Sequence, residues 1–321
     1  MNASGGGKKT RLWASDSNRV IDTARYFSAG FFGLDWEDTA DLQVIPQTDD
    51  LGADTLTPGD TCLQYRDDAK HGHDYGLAML TKFRSTYLPS ISDRLEHQNP
   101  QLRFADTEIY SMQEMCGFET LVRGSSPWCD VFTHKDWLNF EYARDVIHYY
   151  RAGAGNQYGP VMGWLWLNAT ANLMAAGPGV GPMFFSFVHD GDIVPMLAAL
   201  DLFHDDEKLP VTHVASERRW RTSSITPMGG RVIFERLACP QSSSSSSSSS
   251  SGAGVQEAIF VRINVNDGIV ALTGCKGGPG KSCALDQFLE IVKQRGEDVG
   301  DFREKCGLGK DAPDKVTFLH Q

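Results

Sequence analysis

The chain has 321 residues, 41% of them hydrophobic, with a formal net charge of -11 and a pI near 5.3. That length and apolar content can bury a large core in one domain or two. The acidity excludes a general nucleic-acid binder, which needs a basic field, and no apolar run reaches the ~18 residues that span a bilayer, so neither nucleic acid nor membrane is an expected partner. An anionic small molecule stays compatible, because a local positive pocket can form on an acidic protein.

Met1 to Lys9 has no apolar stretch of the kind a signal peptide carries. Core-like residues follow at once, so the natural beginning is expected to lie upstream. Thr10 to Ser15 reads as a short strand, and Asp16 to Phe32 as an amphipathic helix with Val20, Ala24, Phe27 and Phe31 on one face. Ser17 or Asn18 stands near its cap, and Gly30 and Gly33 close it. Arg19 then falls in the first turn, either as a solvated surface charge or as a ligand for an anion held over the strand ends.

From Gly33 to Pro178 the pattern is helical stretches and polar loops without evident strands. Leu77 to Leu88, Asp136 to Tyr150 and Tyr158 to Ala176 are the predicted helices. The expected organisation is a helical domain, 46–178, inserted into an α/β domain made of 1–45 and 179–321. Lys70-His71-Gly72-His73-Asp74 reads as a polar loop, since spacing fixes no further metal ligand beside it. Gly153-Ala-Gly-Asn156 has neither the preceding strand nor the lysine of a nucleotide loop. No metal and no cofactor are expected. Asn2 and Asn168 head Asn-x-Ser/Thr sequons.

Pro182 to Val188 is too short and bulky for a helix and reads as a buried parallel strand running into His189-Asp190-Gly191-Asp192. Ile193, Met196, Leu197, Leu200 and Phe203 follow at helical spacing, with Asp192 placed as the cap and Pro195 in the first turn. His189 and Asp190 thus sit where a strand ends and a helix begins, a place that favours anions. There they either cap the helix or act on a bound anion, His189 donating to its oxygens and Asp190 carrying a proton. Gly230 to Leu237 and Ala258 to Val265 read as hairpin strands joined by ten serines, Ser242 to Ser251, a flexible loop or an O-glycosylated patch. Leu285 to Arg295 is a terminal helix. Gly278-Pro-Gly-Lys-Ser282 is not a phosphate loop, because Cys275 stands where the motif needs glycine. Seven scattered cysteines without C-x-x-C spacing, together with the sequons, fit an oxidising secretory compartment and leave one thiol over.

Phe185-Ser-Phe-Val-His189-Asp190-Gly-Asp-Ile193 followed by Val-Pro-Met-Leu-Ala-Ala-Leu200 resembles the C-terminal His-Asp motif of the histidine acid phosphatases, nearest to the fungal acid phosphatases and phytases. Further blocks agree in order: Ala14-Ser-Asp-Ser-Asn-Arg19 through Phe27, Trp128-Cys129-Asp130-Val-Phe-Thr133 with Trp137, Gly153 to Pro160, Met228-Gly-Gly-Arg231 with Phe234-Glu-Arg236, and Cys275 to Cys283. The resemblance implies a phosphoglycerate-mutase-like α/β fold, a mainly parallel sheet flanked by helices with an all-helical insertion. It implies phosphomonoester hydrolysis through a phosphohistidine, with Asp190 as proton donor to the leaving alcohol, and His189 and Arg19 as phosphate ligands. It also implies Cys62–Cys306, Cys116–Cys129 and Cys275–Cys283 disulfides, a secreted glycoprotein modified at Asn168, and small phosphomonoester substrates with phytate as a candidate. A homo-oligomer is compatible with this reading.

The family's R-H-G-x-R-x-P motif, which carries the nucleophile, does not occur in the sequence. The Lys70 to Asp74 string lacks both arginines and the proline and follows the Arg19 block, so no nucleophile is assigned to His71. Gly191 replaces a residue that is usually polar in relatives, and some relatives place the block's arginine where Trp13 stands. The expectation is a truncated phosphatase lacking its first strand and nucleophile, inactive or weakly active by itself although its full-length parent hydrolyses phosphomonoesters, with Cys239 left without its upstream partner. The alternative is a secreted, non-catalytic phosphoester binder.

Overall fold

The structure, a computed structural model, describes residues 8–240 and 257–321. The serine run and the Asn2 sequon lie outside the described residues. The chain begins with β1 (Thr10–Ser15), α1 (Asn18–Phe32) and β2 (Ala40–Ile45). Short helices α2 (Pro58–Thr61) and α3 (Leu63–Asp67) lead into α4 (Tyr75–Gln98), α5 (Asp106–Arg123), α6 (His134–Arg151) and α7 (Gly159–Ala176). β3 (Phe185–Phe187) and α8 (Asp190–Ala199) follow, then α9 (Thr222–Ile225), β4 (Val232–Pro240), β5 (Glu257–Val265), β6 (Gly268–Val270), β7 (Cys283–Ala284), α10 (Leu285–Val299) and α11 (Phe302–Cys306).

The first sheet is parallel, ordered β2-β1-β3, with Leu12 opposite Leu42 and Phe185. β1 is central, and Leu12, Trp13, Ala14 and Ser15 are all buried, as expected of a strand covered on both faces. Helix α1 lies on it through Val20, Ala24 and Ser28, a stripe at four-residue spacing. Phe31 is not part of that stripe. It turns to the rim, 51% exposed, and its ring packs 5.5 Å from Phe27 and 5.3 Å from Phe185.

The helical body is built on α4 and α6, with α7 against α8 and α10 against α7. Helix α4 continues past the predicted stop at Leu88 and through Pro89. The missing amide costs one hydrogen bond, but Leu88, Ile91 and Leu95 carry the buried stripe onward. Helix α6 opens with a reciprocal cap: the Asp136 amide donates to Thr133 Oγ1 at 3.3 Å and the Thr133 amide to Asp136 Oδ2 at 2.8 Å. Where α7 crosses α8, a Cβ on Gly163 would lie 1.9 Å from the Pro195 carbonyl oxygen, so only glycine permits the approach. Among the longer elements, β2 is a strand inside the stretch read as strand-free, and α5 was not foreseen.

The C-terminal strands form a second, antiparallel sheet, β4-β5-β6 with β7 also on β5, and Val232 opposite Val265. Its inner face, Val261, Ile263 and Val265, joins the core of the helical body. Disulfides link Cys62 to Cys306, Cys116 to Cys129 and Cys275 to Cys283, while Cys239 carries none.

Candidate active site

Parallel pairing of β1 with β3 sets Ala14 beside Phe187, so both strands end at the same side of the sheet. Each is followed within a few residues by a helix, and the N-termini of α1 and α8 stand next to each other there. Amides at such termini have no partner in the helix and point their positive ends outward.

Arg19 and His189 meet across this junction. The guanidinium Nε and Nη2 lie 3.4 and 3.3 Å from His189 Nδ1. A guanidinium only donates, so Nδ1 is the acceptor and a neutral His189 carries its ring proton on Nε2, ready to donate. Partial burial and then the Arg19 charge hold the His189 pKa below the usual value, against the pull of Asp190 and Asp60.

His189, not Asp192, is the N-cap of α8. Asp192 sits at the third helical position and its Oδ2 accepts the His189 amide proton at 3.1 Å, fixing the backbone from which the imidazole projects. Burial pushes the Asp192 carboxyl up to about 8, partly offset by that hydrogen bond. The strand feeding this turn is shorter than Pro182 to Val188 and only half-buried.

Asp190 opens the helix with its side chain half exposed. Its Oδ1 accepts the Gly191 amide proton at 2.9 Å, and its Oδ2 lies 3.5 Å from Nε2 of His148 on α6. His148 is 6% exposed, and Arg144 Nη2 lies 3.3 Å from the same Nε2. Burial lowers the His148 pKa to about 4; Asp190 opposes this, while Arg144 and Arg151 add to it. Sequence reading missed His148. Its only signal was a histidine within an apolar helical run, which more often marks a core residue than a functional one.

The two motifs set aside from the sequence meet each other. Asn156, from the Gly153 loop, donates through Nδ2 to the carbonyls of His71 and Gly72 at 3.1 Å and of Tyr150 at 3.0 Å. Gly72 has no room for a side chain, since a Cβ would stand 2.1 Å from the Tyr65 carbonyl oxygen. His71 itself pairs with Asp68 at 3.5 Å, which makes this loop a packed scaffold element. Among the described residues, no group of three or more His, Cys, Asp or Glu converges to hold a metal ion. Asn168 is half-buried on α7, beside a groove of ≈ 520 Å³ between α7 and α10.

Chemically, the junction offers an anion site with a guanidinium, a neutral imidazole donor and free helix amides, and next to it a wet carboxyl backed by a dry imidazole. The family model of the histidine phosphatase superfamily (branch 2) matches residues 3–266. The chain is 33% identical over 309 residues to a phytase of Candida albicans (PHO112), covering 96% of this chain and 62% of that protein. It is 32% identical to an acid phosphatase of Komagataella pastoris (PHO1), covering 99% of this chain and 64% of the relative. The crystal structure of the phytase from D. castellii superposes with a TM-score of 0.84 at 29% identity, over 97% of this chain and 63% of that one. The chain therefore spans about three fifths of the length of these relatives. The chain belongs to branch 2 of the histidine phosphatase superfamily, with its α/β fold.

Proposed function

We propose that this member of the superfamily acts in phosphomonoester hydrolysis as a histidine acid phosphatase, with small phosphorylated compounds, phytate among them, as substrates. The observation that carries the reading is the junction of the two helix N-termini, where Arg19 and His189 meet with Asp190 adjoining. Arg19 and His189 hold the phosphoryl oxygens, whose charge the guanidinium, the imidazole N–H and the helix amides stabilise. Asp190 gives a proton to the leaving alkoxide, which would otherwise be a poor leaving group. The reaction passes through a phosphohistidine, and no residue of this chain is assigned as its nucleophile. Three disulfides and the Asn168 sequon support secretion and glycosylation at Asn168.

Two measurements test this reading: calorimetric titration with inorganic phosphate, and hydrolysis of p-nitrophenyl phosphate at mildly acidic pH. Phosphate should bind to the wild type and on the order of 10- to 100-fold more weakly to Arg19→Ala, the loss of a charged hydrogen bond. With the R-H-G-x-R-x-P segment supplied upstream, Asp190→Ala should lower turnover on the order of 10²- to 10⁴-fold, the contribution of a positioned acid, while the chain by itself should turn over ester weakly or not at all. Phosphate that fails to bind, or turnover indifferent to Asp190, overturns the reading. Binding that requires Arg19, with no ester turned over even when that segment is supplied, would make the protein a non-catalytic phosphoester binder.

A further inference from the structure

We infer that His148, a buried residue on α6, is the positioning residue for Asp190: its ring is the wall against which Oδ2 rests, with Nε2 3.5 Å away, and so it sets how the carboxyl stands over the site. The inference rests on the reading of Asp190 as the acid. Its ground is the difference between the two carboxyl oxygens. Oδ1 is taken by the Gly191 amide at 2.9 Å, which leaves Oδ2, 3.5 Å from His148 Nε2, as the oxygen able to carry a proton. His148 is 6% exposed, so a charged imidazole there would lose its hydration, and the ring stays neutral.

Arg144 decides the tautomer. Its Nη2, 3.3 Å from Nε2, can only donate, which makes Nε2 the acceptor and puts the ring proton on Nδ1. With Nε2 engaged by Arg144, the ring meets Oδ2 as a packing contact and not as a hydrogen-bond partner. The charged groups around the ring are Asp190 from α8, and Arg144 and Arg151 from its own helix; Glu114 from α5 pairs with Arg144 at 3.3 Å. In the proposed reaction, Oδ2 gives its proton to the leaving oxygen as the P–O bond breaks and a P–N bond forms to the nucleophilic histidine, which is assigned to no residue of this chain. It takes a proton back from the water that attacks the phosphoenzyme, and His148 remains neutral throughout. Burial places His148's own protonation near pH 4. Below that, Nε2 becomes a donor and the arrangement is lost.

The test combines NMR of ¹⁵N-histidine-labelled protein with kinetics. In the wild type the His148 ring should remain neutral from pH 8 down to about 5, and in Asp190→Asn its ring nitrogens should shift while those of His134 do not. In p-nitrophenyl phosphate turnover by the form that carries the upstream R-H-G-x-R-x-P segment, His148→Ala should lower kcat on the order of 10- to 100-fold, the scale of a misplaced reacting group, with KM changed less than about twofold. His148→Gln, which keeps a neutral hydrogen-bonding amide, should recover most of kcat and remove the acid limb of the profile near pH 4. Identical His148 resonances in wild type and Asp190→Asn overturn the inference even if no ester is turned over. Turnover lost in Asp190→Asn but unchanged in His148→Ala, acid limb included, overturns it while leaving the acid in place. Turnover retained in Asp190→Asn removes the reading on which it rests.

Discussion

Arg19 and His148 approach the His189-Asp190 pair from two regions that are held together in different ways. Arg19 belongs to the layer of α1 on the parallel sheet. The buried cluster there is Ala14, Val20 and Ala24, with Ile21, Leu42 and Phe187 packed around it, while Tyr26 and Leu34 are 80% and 89% exposed. His148 belongs to the helical body, whose core runs without a break from Ala53 to Cys306 and is tied by the Cys62–Cys306 disulfide. The comparison teaches where rigidity is spent. Asp190, the proposed acid, leans on the dense body, whereas Arg19, a proposed phosphate ligand, comes from a thin layer free to adjust around an anion.

The largest test of that contrast is inside the body. Asp145, on α6 three residues before His148, accepts from Arg218 Nε at 2.5 Å and from the Thr222 amide at 2.6 Å. Arg218 also reaches Glu141 at 3.2 Å and lies over the Tyr142 ring. Burial raises the Asp145 pKa, opposed by the Arg218 charge. Removing one partner of such a pair strands a buried charge, so Asp145→Ala should cost about 3–5 kcal/mol in denaturant unfolding. A cost below about 1 kcal/mol would mean that the body is no better held than the α1 layer.

Next in size is a pH effect set by the body's dryness. The pKa of His148 is about 4 folded against 6.5 for an ordinary histidine. Between these values the unfolded chain binds the proton and the folded one does not, so stability falls as pH drops from 6.5 to about 4 and levels off below. At about 1.4 kcal/mol per unit the loss approaches ~3 kcal/mol, and it should be nearly absent in His148→Gln. Asp192 works the other way. Its raised pKa means that stability declines as pH climbs from the ordinary carboxyl range towards 8. The two slopes oppose each other between about pH 4 and 6.5, so in unfolding followed by circular dichroism from pH 3 to 8 the His148 part is the difference between wild type and His148→Gln, and the Asp192 part is the decline towards pH 8 that both share.

Much of this arrangement was legible because it is local. β1 occupies the predicted Thr10 to Ser15, α6 and α7 lie within two residues of expectation, and the His189-Asp190 turn could be placed from a bulky strand running into a capped helix. β2 escaped although Ala40, Leu42 and Val44 alternate with Asp41 and Gln43, because the run is short and buries little beyond Ala40, with Val44 41% exposed. Helix α5 buries only Ile109, Tyr110 and Gln113 and leaves Phe118, Leu121 and Val122 exposed, so no apolar stripe announces it. Helix α4 was predicted to end at Leu88, and the packing that carries it on through Pro89 comes from α6. His148 was invisible for the same reason: its partner Asp190 lies on another helix, and only the tertiary crossing of α6 and α8 brings them together.

The smallest effect probes the thin layer itself. Val20 is one of three residues in its buried cluster, and Val20→Ala removes two methyl groups' worth of burial, about 1–2 kcal/mol at ~0.8 kcal/mol per carbon. If the layer opens independently of the body, amide exchange in α1 should accelerate on the order of 5- to 30-fold, while protection of α6 amides around Tyr142 and Val146 stays as in the wild type. Equal acceleration in both helices would join the layer and the body into one cooperative unit. Arg19 would then be as firmly placed as Asp190, and the flexibility argued for the phosphate ligand would have no physical source.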